Sequence, residues 1–128
     1  MREGVTEEVL RHRAEVADIM AGKDRRLLLM AGPCSLDDAR LESGSFATLH
    51  YAESMHQVFE DPMLKRYIKF VESCNPAKPR SDLGPRGFEE QNFEVGHQLL
   101  TEIVNIGNAL CFAIMNDKQL ARYGDMLT

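Results

Sequence analysis

The sequence predicts an α/β fold: a partial (β/α) barrel of about three parallel strand–helix units after an N-terminal helix. Three observations lead there. Short runs that are apolar through their centre, residues 26–31 ("RLLLMA") above all, read as strands covered on both faces, as in a parallel sheet. Longer stretches with helical spacing stand between these runs, so helices and strands alternate. A closed barrel needs eight such units and roughly 200 residues or more, whereas this chain has 128. Residues 1–128 are therefore read as one domain, long enough to bury its own core.

Each element has its own signals. Thr6 is a candidate N-cap, with Glu7 and Glu8 in the first turn where the helix dipole favours acid. Val9, Arg13, Val16, Ala17 and Met20 then fall at helical spacing, and Gly22 is a natural stop. After the strand at 26–31, Gly32-Pro33 forms a break. Helical spacing resumes through Phe46, Leu49, Ala52, Met55, Val58 and Phe59 and ends at Asp61-Pro62. Residues 67–71 form the next strand, on Ile68, Phe70 and Val71. A long irregular stretch follows, "SCNPAKPRSDLGPRGFEEQN", of the length that compact domains reserve for function or disorder. Residues 93–106 make a helix, Gly107-Asn108 ends it, and residues 109–115 are an apolar strand. Asn116 or Asp117 caps a last helix over 118–127.

Composition narrows the function. The formal charge is −5 at pH 7 and the isoelectric point is about 5.3, which argues against nucleic-acid binding. No run of about 18 apolar residues is present to span a membrane, and the polar, acidic start does not resemble a secretory signal. Cys34, Cys74 and Cys111 are odd in number and lack a CxxC pair, which favours the reducing cytoplasm over a disulfide framework.

Two motifs carry chemistry. "GPCS" (32–35) follows a parallel strand, on the side where α/β folds place their sites. Cys34 there is either a thiolate metal ligand or a small buried thiol. "KPRSDLGPRG" sets Lys78, Arg80 and Arg86 in a stiff loop after the second strand. That is either an anion-binding loop, with arginine able to grip a phosphate or carboxylate bidentately, or a solvated loop with scattered charge. His12, His50, His56 and His97 show no ligand spacing and read as surface or helix-packing residues. Met30, Met55, Met63, Met115 and Met126 read as core filler.

"GKDRRLLLMAGPCSLDD" is similar to the G-K-D-x-R-L-L-V-V-x-G-P-C-S-I-x-D of type I 3-deoxy-D-arabino-heptulosonate 7-phosphate (DAHP) synthases. "KPRSDLGPRGF" resembles their K-P-R-T-T-V-G-W-K-G, and weaker likeness extends over the first helix and to "LARYGDML". The chain thus resembles the N-terminal part of such an enzyme, a truncated domain of that kind. The resemblance implies a (β/α)8 fold and condensation of phosphoenolpyruvate with erythrose 4-phosphate, the entry to aromatic amino-acid biosynthesis. It implies a divalent metal with Cys34 as ligand. It makes Lys78 the catalytic, phosphoenolpyruvate-binding lysine, and Pro79 and Arg80 part of the sugar-phosphate loop. Arg86 stands where the family has lysine.

The departures are as informative. The family's other metal ligands, a histidine, a glutamate and an aspartate, belong to later strands, and one thiolate does not hold a catalytic metal. On that reading no metal is bound by this chain alone. The family's second strand reads R-V-Y-F-E-K-P-R; here "KFVES" is followed by an inserted "CNPA", and Lys69 is a stand-in for the substrate-binding arginine. "ALCFAIMN" replaces A-G-E-F-L-D-M-I-T, with loss of both acidic positions. The expectation is a DAHP synthase homologue that is not catalytic as an isolated chain. The alternatives are a non-catalytic partner-binding or regulatory protein, or half of a split metal-dependent aldol-type transferase. An open sheet of three strands leaves edges and an apolar face to cover, so a homo-oligomer or a partner protein is expected.

Overall fold

Helix α1 (Glu3–Met20) precedes strand β1 (Leu27–Ala31), helix α2 (Ala47–Phe59), helix α3 (Pro62–Tyr67) and strand β2 (Ile68–Ser73). Helix α4 (Glu90–Ile106), strand β3 (Ala109–Cys111), helix α5 (Asp117–Tyr123) and a 3-10 turn at Gly124–Met126 complete the order. The structure, a computed structural model, describes residues 3–32, 47–73, 90–111 and 117–128. The strands form one parallel sheet in the order β1-β2-β3, as expected of strand–helix units. The register sets Ala31 beside Glu72 and Ser73 beside Cys111, so the strand ends lie level.

Helix α1 begins at Glu3, which puts Thr6 inside the helix rather than at its cap. Nothing between the two residues forces a break, and extending an existing helix is inexpensive. Gly22 ends it as expected: at φ 79° it is left-handed, and Lys23 N donates to Asp18 O at 2.9 Å. Asp61-Pro62 ends α2, yet it also starts α3, a helix the sequence reading missed. Asp61 Oδ1 accepts from Met63 N at 2.9 Å and Leu64 N at 3.3 Å, and Pro62 occupies the first turn, where no N–H is required.

The core gathers Val9 of α1, Ala52 of α2, and Leu99, Leu100, Ile103 and Val104 of α4 around Leu110 of β3. Tyr123 and Met126 close it from the C-terminal side. Arg13 ties α1 to the same end, donating from Nε to Leu127 O at 2.7 Å and from Nη2 to Gly124 O at 2.9 Å. Thr128 N donates to Leu110 O at 2.8 Å, which seats the last residue against β3.

Two expectations are corrected at β1. The strand is not covered on both faces, because Leu27 is 64% and Met30 61% exposed. Among the described residues β1 pairs only with β2. An apolar run marks a strand without saying how many neighbours it has. Met30 is accordingly exposed rather than core; Met63, on α3, is exposed as well, while Met126 is buried. Residues 112–115 of the expected third strand lie outside the described residues.

Candidate functional site

The C-terminal edge of the sheet is where the motifs of the sequence leave the fold. The segment carrying Cys34 departs from β1 at Gly32, and the segment carrying Lys78, Pro79, Arg80 and Arg86 departs from neighbouring β2 at Ser73. A parallel pair delivers both to one edge. Cys34, Lys78, Pro79, Arg80 and Arg86 themselves lie outside the described residues. Gly32 is fixed by close approach: a Cβ on it would stand 2.0 Å from Ser73 O and 2.9 Å from Ser73 C and N. Only glycine lets the first strand meet the second here before the turn begins. Beside Ser73, the Cys111 thiol is pushed up by burial, and a hydrogen bond with Ser73 works the other way.

Lys69 belongs to the opposite edge. It is the second residue of β2, and its side chain turns to α1, donating to Glu15 Oε2 and, at 2.6 Å, to His12 Nδ1. Among the described residues, the residue read as a stand-in for the family's arginine is thus engaged with α1. The "CNPA" insertion lies after β2, so it leaves the residues of β2 itself unshifted.

The geometry around Lys69 fixes a proton arrangement. His12 Nε2 lies 3.1 Å from Gly107 O and donates to it, so neutral His12 presents an acceptor at Nδ1 to the Lys69 ammonium. Burial, then the Lys69 charge, holds His12 below its ordinary pKa. Burial likewise lowers Lys69, which is 7% exposed, while Glu15 works to keep it charged. Burial raises Glu15, but the Lys69 hydrogen bond and charge outweigh it, leaving the carboxyl below its ordinary value. Arg11 reaches Glu15 at 3.1 Å, and Arg26 forks onto Asp24, with Nη2 2.8 Å from Oδ2. Arg11, His12, Glu15, Arg26 and Lys69 line an open cleft. Its cations Arg11, Arg26, Lys65 and Lys69 each have a carboxylate partner, so the cleft has little charge left to attract an anion.

Replacing Glu15 by Gln is expected to cost about 2 kcal/mol at neutral pH, below the 3–5 kcal/mol of a fully buried pair because Glu15 is partly exposed. Because the native pKa of Glu15 is depressed, its contribution is present above the ordinary carboxylate range and lost as pH falls through the native value. Urea titrations at pH 7 and pH 3.5 check this: the gap between wild type and variant narrows in acid.

A second buried polar group joins the helices to the sheet. Glu72 is fully buried at the end of β2, and Asn108 stands in the turn between α4 and β3. Asn108 Nδ2 donates to Ala52 O and to Glu72 Oε1, both at 3.0 Å. Its Oδ1 accepts from His56 Nδ1 at 3.0 Å. Burial pushes the Glu72 carboxyl up to about 7, against a smaller downward pull from the Asn108 hydrogen bond. The sequence reading named none of these as functional, because each is paired across 36 to 56 positions of the chain. The polar Glu72 ending an apolar strand was the one visible signal.

Among the described residues, no group of three His, Cys, Asp or Glu side chains could hold a metal ion, and no helix is long and apolar enough to cross a membrane. Thus the described residues offer nothing that fits the divalent metal implied by the motifs, and Cys34 lies beyond them.

No protein-family model matches the chain. Its sequence is 26% identical over 132 residues to the Tyr-sensitive phospho-2-dehydro-3-deoxyheptonate aldolase of Salmonella typhimurium, covering 94% of this chain and 35% of the relative. To the phenylalanine-inhibited aldolase of Saccharomyces cerevisiae it is 32% identical over 81 residues, 63% of this chain and 20% of the relative. A putative aldolase of Schizosaccharomyces pombe is 36% identical over 75 residues, 59% of this chain and 18% of the relative. Among solved structures, the aldolase of Francisella tularensis SCHU S4 superposes with a TM-score of 0.82 at 20% identity, over 99% of this chain and 38% of that one. The chain therefore spans about a third of the length of the first curated relatives it matches. Phospho-2-dehydro-3-deoxyheptonate aldolase is the DAHP synthase of the motifs, so sequence and fold comparisons agree with the resemblance read from "GPCS" and "KPR".

Proposed function

We propose that this chain is a DAHP synthase homologue that retains the opening units of the fold without catalysing the family reaction by itself. The observation that carries the reading is the pairing of motif and topology. "GPCS" follows β1 and "KPR" follows β2, on adjacent parallel strands of a sheet similar to that of a solved aldolase. In this role Cys34 is the metal ligand, and Lys78 the catalytic and phosphoenolpyruvate-binding lysine. Pro79, Arg80 and Arg86 hold the substrate anions. Within these residues the metal has one ligand, and the two acidic positions of the family's third strand are gone, so the isolated chain is short of the three or more ligands a catalytic metal takes. A cytoplasmic location accords with a biosynthetic relative.

A specific observation favours a second reading, half of a split enzyme or a partner-binding protein: the exposed Leu27 and Met30 of β1. Apolar strand edges of this kind are ordinarily covered. A single preparation tests both readings. Purified chain is assayed for bound metal and for phosphoenolpyruvate consumption with erythrose 4-phosphate, with and without EDTA. No turnover is expected, and metal-dependent turnover overturns the first reading. Light scattering on the same sample is expected to show a homo-oligomer; a well-folded monomer removes self-association as the cover for β1 and leaves a different polypeptide as the partner of the second reading.

A further inference from the structure

Glu72 has no part in the proposed function, and its placement is costly enough to require an account. It is 0% exposed. One carboxyl oxygen takes the Asn108 amide, and the other, Oε2, has no hydrogen-bond partner among the described residues. An ionised carboxylate with a bare oxygen in such a place is far more expensive than a neutral acid.

Among the described residues, the neighbours of Glu72 do not compensate it. From α2 the titratable group nearest in the network is His56, and it reaches Glu72 only through Asn108. From the turn before β3 comes Asn108 itself. β1 and β3 set Ala31 and Leu110 at its register positions, both uncharged, and α4 supplies Leu99, Leu100 and Ile103 to the adjoining core. Lys69, on the same strand, is committed to His12 and Glu15 of α1. Among the described residues Asn108 is consequently the sole polar contact, and it also grips α2 through Ala52 O and His56.

We propose that Glu72, Asn108 and His56 form a proton-operated latch: protonated Glu72 holds α2 against β2 and the turn before β3, and ionised Glu72 loosens that junction. The latch lies between the elements that bound both motif segments, since α2 follows residues 33–46 and β2 precedes residues 74–89. It does not depend on which reaction, if any, those segments serve.

The sign follows from linkage. The native carboxyl titrates near 7 and the unfolded one near 4.5, so the folded state holds the extra proton between these values. The stabilising effect of that proton is complete below pH 4.5 and lost as pH rises through 7. His12 acts in the opposite sense in acid and is common to wild type and variant, so the comparison cancels it.

The test is urea unfolding of the full chain from pH 5 to pH 8.5, wild type against Glu72→Gln. The wild-type folding constant is expected to fall by on the order of a hundredfold relative to the variant. Hydrogen exchange of α2 amides, corrected for intrinsic rates, should quicken above pH 7 in wild type only. Parallel stability curves, or α2 exchange that is the same in both proteins, overturn the latch. If Glu72→Gln fails to fold, carboxyl-carbon NMR of wild type decides instead. A Glu72 midpoint near 7 supports the proposal, and one near 4.5 ends it.

Discussion

Gly32→Ala is expected to destabilise the chain by about 3 kcal/mol or more, the upper end of what an over-packed site costs. The added Cβ meets the Ser73 carbonyl at 2.0 Å. That neighbour is backbone, in a strand held by the pairing of Ala31 with Glu72, so no flexible side chain can yield. Relief requires the two strand ends to separate, and with them the exit of the "GPCS" turn. Gly22→Ala is the fitting control. Gly22 is left-handed at φ 79° with nothing within 4 Å of its Cβ, so only the backbone preference is lost, about 1 kcal/mol. Urea unfolding of the two variants side by side checks the contrast. Equal, small losses would show that Gly32 is there for conformation alone and that the strand ends can part cheaply.

That contrast also shows what the sequence could and could not convey. Gly22 and Gly32 look alike in sequence, each closing an element, yet the reason for the second lies on a strand some forty positions away. Local signals served where the cause was local: the apolar centre of β1, the period of α4 and the stop at Gly22 all stand in the structure. Pro62 misled because proline ends one helix and starts another equally well, and Asp61 decides between them through its side-chain contacts. Met30 was assigned to the core because strand composition does not reveal an edge. The polar groups escaped for a further reason. Lys69 meets His12 across 57 positions, and His12 meets Gly107 across 95. No period or spacing encodes such pairings. Of the candidate site, the sequence supplied the motifs, and the topology supplied their convergence on one sheet edge.

Asn108→Asp, an isosteric change, is expected to cost about 4 kcal/mol or more. The side chain is buried, and its amide nitrogen faces two acceptors, Ala52 O and Glu72 Oε1, each at 3.0 Å. The substitution replaces that donor by an oxygen, so two attractions become repulsions and a second carboxyl enters beside Glu72. His56 offsets part of this, because its Nδ1 still donates to the remaining oxygen. Asn108→Ala removes the hydrogen bonds without adding charge and should cost about 2–3 kcal/mol, the loss of one buried polar group's partners. The aspartate variant has its own signature: two adjacent buried acids share protons readily at low pH, so it should recover toward the alanine variant between pH 7 and pH 5. Chemical denaturation of both variants at those two pH values measures the difference. If Asp and Ala prove equally costly and equally flat with pH, Asn108 merely fills space, and the junction of α2 with the sheet rests on apolar packing instead.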